Sequence, residues 1–123
     1  MGYESKIYVV RKEKFSCSDR EDGKVFAREI AMVDMSCCYG ISDTLRRKPA
    51  TDCYIYANDG NTQIHEDRYG DPLTEAPICE VIKLVEKAMS KDYYWRYPIL
   101  LATLKAFEQY ADNPDFAVLH YGY

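Results

Sequence analysis

Apolar residues recur at helical spacing over one long stretch of the chain, residues 74–112. Ile78, Val81, Ile82, Val85, Ala88 and Met89 follow the i, i+3, i+4, i+7 pattern that gathers side chains on one face of a helix. Leu100, Thr103, Leu104, Phe107 and Ala111 repeat it. Pro77 and Pro98 stand where a helix can begin without losing a hydrogen bond, and Asn113-Pro114 stops the second run. The pattern predicts two helices. Residues 90–97 between them are too short to reach another domain, so both stripes face one common layer.

Strand patterns must supply that layer. Residues 6–11 place Ile7 and Val9 on one face and Tyr8 and Val10 on the other, which suits a strand inside a sheet. Residues 15–23 have a turn composition. Residues 24–38 alternate imperfectly, which predicts a second strand with a bulge or bend near Arg28 and Glu29, with a helix as the competing reading. Residues 39–52 show no period and predict an exposed loop. Residues 53–57 and 62–66 flank Asn58-Asp59-Gly60, a hairpin signal that puts Tyr54 and Tyr56 on one face and Cys53 and Ile55 on the other. Residues 116–121 form a last strand between others.

The predicted order is β-β-β-β-α-α-β, an α+β fold with two helices of the C-terminal half covering one face of a mainly antiparallel sheet. The opposite face and the edges are expected to remain available for contact. Residues 1–123 show no repeat or linker, so a single domain is expected.

Composition narrows the setting. Five cysteines without C-x-x-C spacing suit a reducing cytoplasm, and no signal or membrane segment is read. A net charge of −4 argues against direct nucleic-acid binding over the whole surface, although a local basic patch would still hold phosphate. Charge is uneven: Asp59, Glu66, Asp67, Asp71, Glu75 and Glu80 fall in one stretch, whereas Arg28, Arg46, Arg47 and Lys48 belong to a cationic first half.

Candidate chemistry is sparse. His65 and Asp67 project to one side of a strand, where they would hold a metal or a water; the competing reading is a solvated strand end. Neither His65 nor His120 belongs to a zinc motif, the cysteines make a poor tetrahedral site, and the scattered glycines give no phosphate loop. No cofactor is expected. Arg46, Arg47 and Lys48, with Arg28 as companion, offer phosphate or an acidic protein face its donors. Tyr54, Tyr56, Tyr93, Tyr94 and Trp95 offer aromatic surface for a homodimer, a base or a protein partner, or else pack within the monomer.

The opening residues 1–10, the ending residues 118–123 and the segment Cys53-Tyr54-Ile55-Tyr56-Ala57-Asn58-Asp59-Gly60 resemble small proteins of phages and mobile elements of Firmicutes. That resemblance implies a host-cell setting and an antagonist of bacterial defence, anti-CRISPR proteins included. It carries over no functional residue.

Three functions are weighed. The first is a non-enzymatic interaction protein, a phage-encoded inhibitor whose partner is a host protein or ribonucleoprotein effector. Asp59, Glu66, Asp67, Asp71 and Glu75 would imitate phosphates there, with Tyr54 and Tyr56 beside them. The alternative is a small-ligand binder that sequesters a nucleotide signal through Arg28, Arg46, Arg47 and tyrosines. The third is a metal-dependent hydrolase centred on His65 and Asp67.

Overall fold

The computed structural model describes residues 4–13, 25–35, 39–56, 63–91 and 94–122. In chain order these form β1 (Ser5–Glu13), β2 (Val25–Asp34), α1 (Tyr39–Leu45), β3 (Cys53–Tyr56), β4 (Gln63–Ile64), β5 (Thr74–Ala76), α2 (Ile78–Lys91), α3 (Arg96–Ala106) and β6 (Phe116–Gly122), with a 3₁₀ turn at Glu108–Tyr110 after α3. The fold is α+β. The six strands lie in the order β4-β3-β2-β1-β6-β5, and every pairing is antiparallel except that of β2 with β3.

Strand periodicity sorts the core into two layers. On β1, Ile7 and Val9 join Val118 of β6 beneath the helices, where Val81, Ile82 and Val85 of α2 and Tyr97, Leu100 and Leu104 of α3 complete the main core. Burying one aliphatic side chain of this size contributes about 1.5–3 kcal/mol, which amply offsets the modest helix propensity of the β-branched residues in α2. Pro77 accepts the first helical amide, that of Val81 at 3.2 Å, and Pro98 falls in the first turn of α3, where amides have no intrahelical acceptor.

The even-numbered face of β1 is also buried, which corrects the expectation of an open opposite side. Tyr8, Val10, Ala27, Cys53, Ile55, Leu73, Ala117 and Leu119 form a second apolar cluster there. The sheet curls to enclose it. Residues 49–51, which lead into β3, meet β5 from the far flank: Ala50 bridges Thr74, the Thr51 amide donates to the Leu73 carbonyl at 2.8 Å, and the Glu75 amide donates to the Pro49 carbonyl at 3.0 Å. Part of β2 stays outside the curl, with Ile30 and Met32 exposed. The irregularity falls at the expected place, since Val9 pairs Ala31 while Val10 pairs Glu29, leaving Ile30 as the extra residue.

Two elements were not anticipated. Residues 39–45 form a helix rather than loop, anchored by buried Ile41 and Leu45, and residues 74–76 form an edge strand before the long helical stretch begins. The hairpin of β3 and β4 pairs as expected, Ile55 with Ile64 and Tyr56 with Gln63; its tip at residues 57–62 lies outside the described residues. Among the described residues no helix is long and apolar enough to cross a membrane.

Candidate functional site

The first cationic segment is built by the end of α1. Leu45 is sealed in the core, and its carbonyl accepts the buried Thr74 hydroxyl at 2.7 Å, which ties the helix terminus to β5. The chain then tightens: the Arg46 amide donates to Ser42 at 3.0 Å, that of Arg47 to Thr44 at 3.2 Å and that of Lys48 to Leu45 at 3.1 Å. Three consecutive cations therefore stand at the carbonyl end of a helix, where its dipole favours positive charge. Asp43 sets the guanidinium positions, at 2.9 Å from Arg46 and 3.2 Å from Arg47, and Lys48 pairs with Glu80 of α2.

Beneath this segment lies a cleft of about 360 Å³ lined by Arg46, Arg47, Lys48, Asp71, Pro72 and Thr74. His120 and Gly122 of β6 also line it. His120 is only 3% exposed. Its Nε2 lies 3.0 Å from the Ser5 hydroxyl, which in turn lies 2.7 Å from the Ser42 hydroxyl of α1. Either serine can donate, so the chain of hydroxyls accommodates both neutral tautomers of the ring. Burial, aided by the nearby Arg46 charge, pulls the imidazole down to about 4, and the ring is neutral at pH 7. Its Nδ1 has no protein partner among the described residues, and the ring lines the cleft.

Lys48 also lines a second hollow, of about 200 Å³. Leu45, Ala76, Val81 and Leu84 give it an apolar lining, and Lys48, Lys83, Lys87 and Glu80 stand around it.

The other anticipated residues are dispersed. Arg28 projects from β2 with its Nε 2.7 Å from Glu13 and does not line the cleft of Arg46 and Arg47. Asp67 is buried, and its Oδ1 accepts the amides of Tyr69 at 2.8 Å and Asp71 at 3.0 Å, so it staples the 67–71 turn. Glu75 accepts from Lys12 and from the Thr51 hydroxyl, both at 2.8 Å. Glu66 is exposed, Asp71 sits in the cleft wall, and Asp59 lies outside the described residues. Tyr54 and Tyr56 share one face, as their spacing requires, each with its ring 6.3 Å from that of Phe26.

His65 and Asp67 are not brought together. The His65 ring packs 4.7 Å from that of Tyr54, while Asp67 turns into its own loop. Among the described residues no group of three or more His, Cys, Asp or Glu side chains could hold a metal ion. The Cys53 thiol is pushed up by burial, which disfavours the thiolate a nucleophile needs.

Sequence reasoning missed the pairing of His120 with the Arg46 segment. The available signal was a single histidine inside the otherwise apolar run Ala117-Val118-Leu119. Comparison with protein-family models, with curated proteins and with solved structures finds no match to this chain.

Proposed function

We propose that this chain is a non-enzymatic binding protein that captures a small anionic ligand, a phosphate-bearing one by its donor set, in the cleft beneath Arg46, Arg47 and Lys48. One observation carries the reading: His120 is almost wholly buried, yet its ring lines a cleft whose wall also carries three cations. Nδ1 has no partner among the described residues, and in the tautomer that protonates it an acceptor-rich anion would accept from it together with the guanidinium forks. Asp71, which lines the same cleft, would suit the hydroxyl of a monoester ligand. Tyr54 and Tyr56 do not line this cleft, so base stacking by that pair lends the proposal nothing.

The test is thermal unfolding with inorganic phosphate or pyrophosphate, against sodium chloride at equal ionic strength. A ligand at one hundred times its Kd stabilises by about 2.7 kcal/mol. The double variant Arg46→Gln, Arg47→Gln should abolish the gain. No phosphate-specific gain in the unmodified protein would overturn the proposal.

A second reading, occupation of a macromolecular partner, has its own support. Trp95 at 57% and Ile99 at 49% exposure, with exposed Ala102 and Ala106, form an outward apolar stripe on and just before α3, a helix whose inner face is apolar too. Such a stripe suits a protein partner or a second copy of this chain better than the acidic set does, because Asp67 and Glu75 are engaged within the fold. The inhibitor role implied by the resemblance to phage proteins would act through it. Charged substitution of Trp95 and Ile99 should abolish partner capture without lowering the melting temperature.

A further inference from the structure

We infer that the outward stripe of α3 is the contact face of a weak homodimer, in which two copies of this chain pack their α3 helices antiparallel about a two-fold axis. This rests on the reading of α3 as a contact surface and names its occupant as a second copy.

The spacing and the sizes along the stripe carry it. Trp95, Ile99, Ala102 and Ala106 follow one another at intervals of four, three and four residues, the repeat by which one helix lines up a seam against another. Trp95 precedes α3 but has helical dihedrals, φ −58° and ψ −24°, so it continues the line. The four positions are also symmetric about the midpoint between Leu100 and Leu101. An antiparallel pair therefore sets Trp95 against Ala106 of the second copy and Ile99 against its Ala102, and the two-fold repeats both pairs. Large faces small at every position, which is how facing helices interdigitate. A parallel pair would crowd two indoles at one end and leave two alanines apart at the other. A partner of unrelated sequence would give no reason for the stripe to carry its own complement.

Charge agrees. In this register Arg96 falls beside Thr103 of the second copy and Lys105 beside its Pro98, so the two cations of α3 do not meet their like. Trp95 is held ready for contact: its ring lies 4.9 Å from the Arg96 guanidinium, which donates to the Asp34 carbonyl at 2.7 Å. An aromatic anchor fixed beforehand loses little freedom on binding. Area sets the strength. Covering a whole tryptophan removes about 150–250 Å² from water, and 57% of Trp95 is exposed. Two such rings and two isoleucines remain below the ~1,200 Å² of a standard interface, which suits a dissociation constant on the order of 10–100 µM.

The experiment is sedimentation velocity of the full chain from about 1 to about 500 µM, a range that brackets this constant, with tryptophan emission recorded over the same series. Trp95 is the chain's single tryptophan, so its emission reports this contact directly. Sedimentation should pass from monomer to dimer, and emission should move to shorter wavelength at the same midpoint. Ala106→Glu should weaken the dimer at least about a hundredfold, because the two-fold counts the buried charge twice. Ile99→Lys should do likewise, and adding Ala102→Glu should restore association, since only the antiparallel register sets those two changes against each other. A monomer with constant emission up to about 500 µM would overturn the inference and leave α3 to the partner-capture test above. A dimer with unshifted emission, or one that survives Ala106→Glu, would place the contact elsewhere and overturn it as well. Absence of rescue by Ala102→Glu would overturn the antiparallel register. The concentration series needs no variant, so a folding defect in any of them would not block the test.

Discussion

His120 makes stability depend on pH in a calculable way. In the unfolded chain its imidazole titrates near 6.5; in the folded protein burial and the Arg46 charge bring it to about 4. Below pH 6.5 the unfolded state therefore binds more protons than the folded state, and stability falls as the pH drops. The loss begins as the pH passes 6.5, grows toward 4 and levels off below it. Each unit of difference corresponds to about 1.36 kcal/mol, so the full effect is about 3 kcal/mol, of which about 2 kcal/mol has been lost at pH 5. Carboxylates, Asp71 in the same cleft among them, contribute to any acid transition, so the decisive quantity is a difference between proteins. His120→Gln does not titrate and can still meet the Ser5 hydroxyl. Urea unfolding at pH 7.5 and 5.0 should show the unmodified protein losing about 2 kcal/mol more than the variant, roughly a 1 M larger fall in midpoint for an m-value near 2 kcal/mol/M. Equal losses within about 0.5 kcal/mol would refute the assignment of a buried, neutral imidazole.

Two further outcomes test how the ends of the curled sheet are held. Gly122 has φ +95°, and a Cβ there would stand 1.7 Å from the Glu4 carbonyl oxygen, so Gly122→Ala should cost more than about 2 kcal/mol and lower the melting temperature by about 8 °C or more. Asp67→Ala removes the acceptor for two amides of the 67–71 turn and should cost about 1–2 kcal/mol in chemical unfolding. Asp67→Asn keeps a carbonyl acceptor and should recover most of that loss.

Long elements were the legible ones. The α2 stripe needed no tertiary knowledge, because four buried positions in fourteen residues declare one face. β1 was equally plain as a strand inside the sheet, from apolar side chains on both parities, although the cover over its even-numbered face was not read from them. Helix α1 has seven residues, less than the two turns a periodicity needs, with Ile41, Ser42 and Leu45 buried among the described residues, and Gly40 reads as loop. Strand β5 has three residues between Pro72 and Pro77, and merges by eye with the helix that follows.

The candidate site divides along the same line. Arg46-Arg47-Lys48 was visible as adjacent charge, whereas its meeting with His120 depends on β6 pairing with β5 and on α1 packing above both. The acidic stretch misled for the opposite reason. Sequence proximity suggested one patch, yet the 67–71 turn and the strand after it send neighbouring carboxylates to different surroundings, one buried, one into a cleft wall and one onto Lys12.

Strand order also bears on synthesis. β6 lies between β1 and β5, so the sixth of these strands in chain order enters the interior of the sheet. Until residue 122 leaves the ribosome, β1 lacks one neighbour, and the layer beneath the helices lacks Val118. These contacts join strands more than a hundred residues apart and delay closure until β6 has been made. A nascent chain halted before residue 116 would carry a bare apolar strand edge, a substrate for chaperones and proteases rather than a partly working protein.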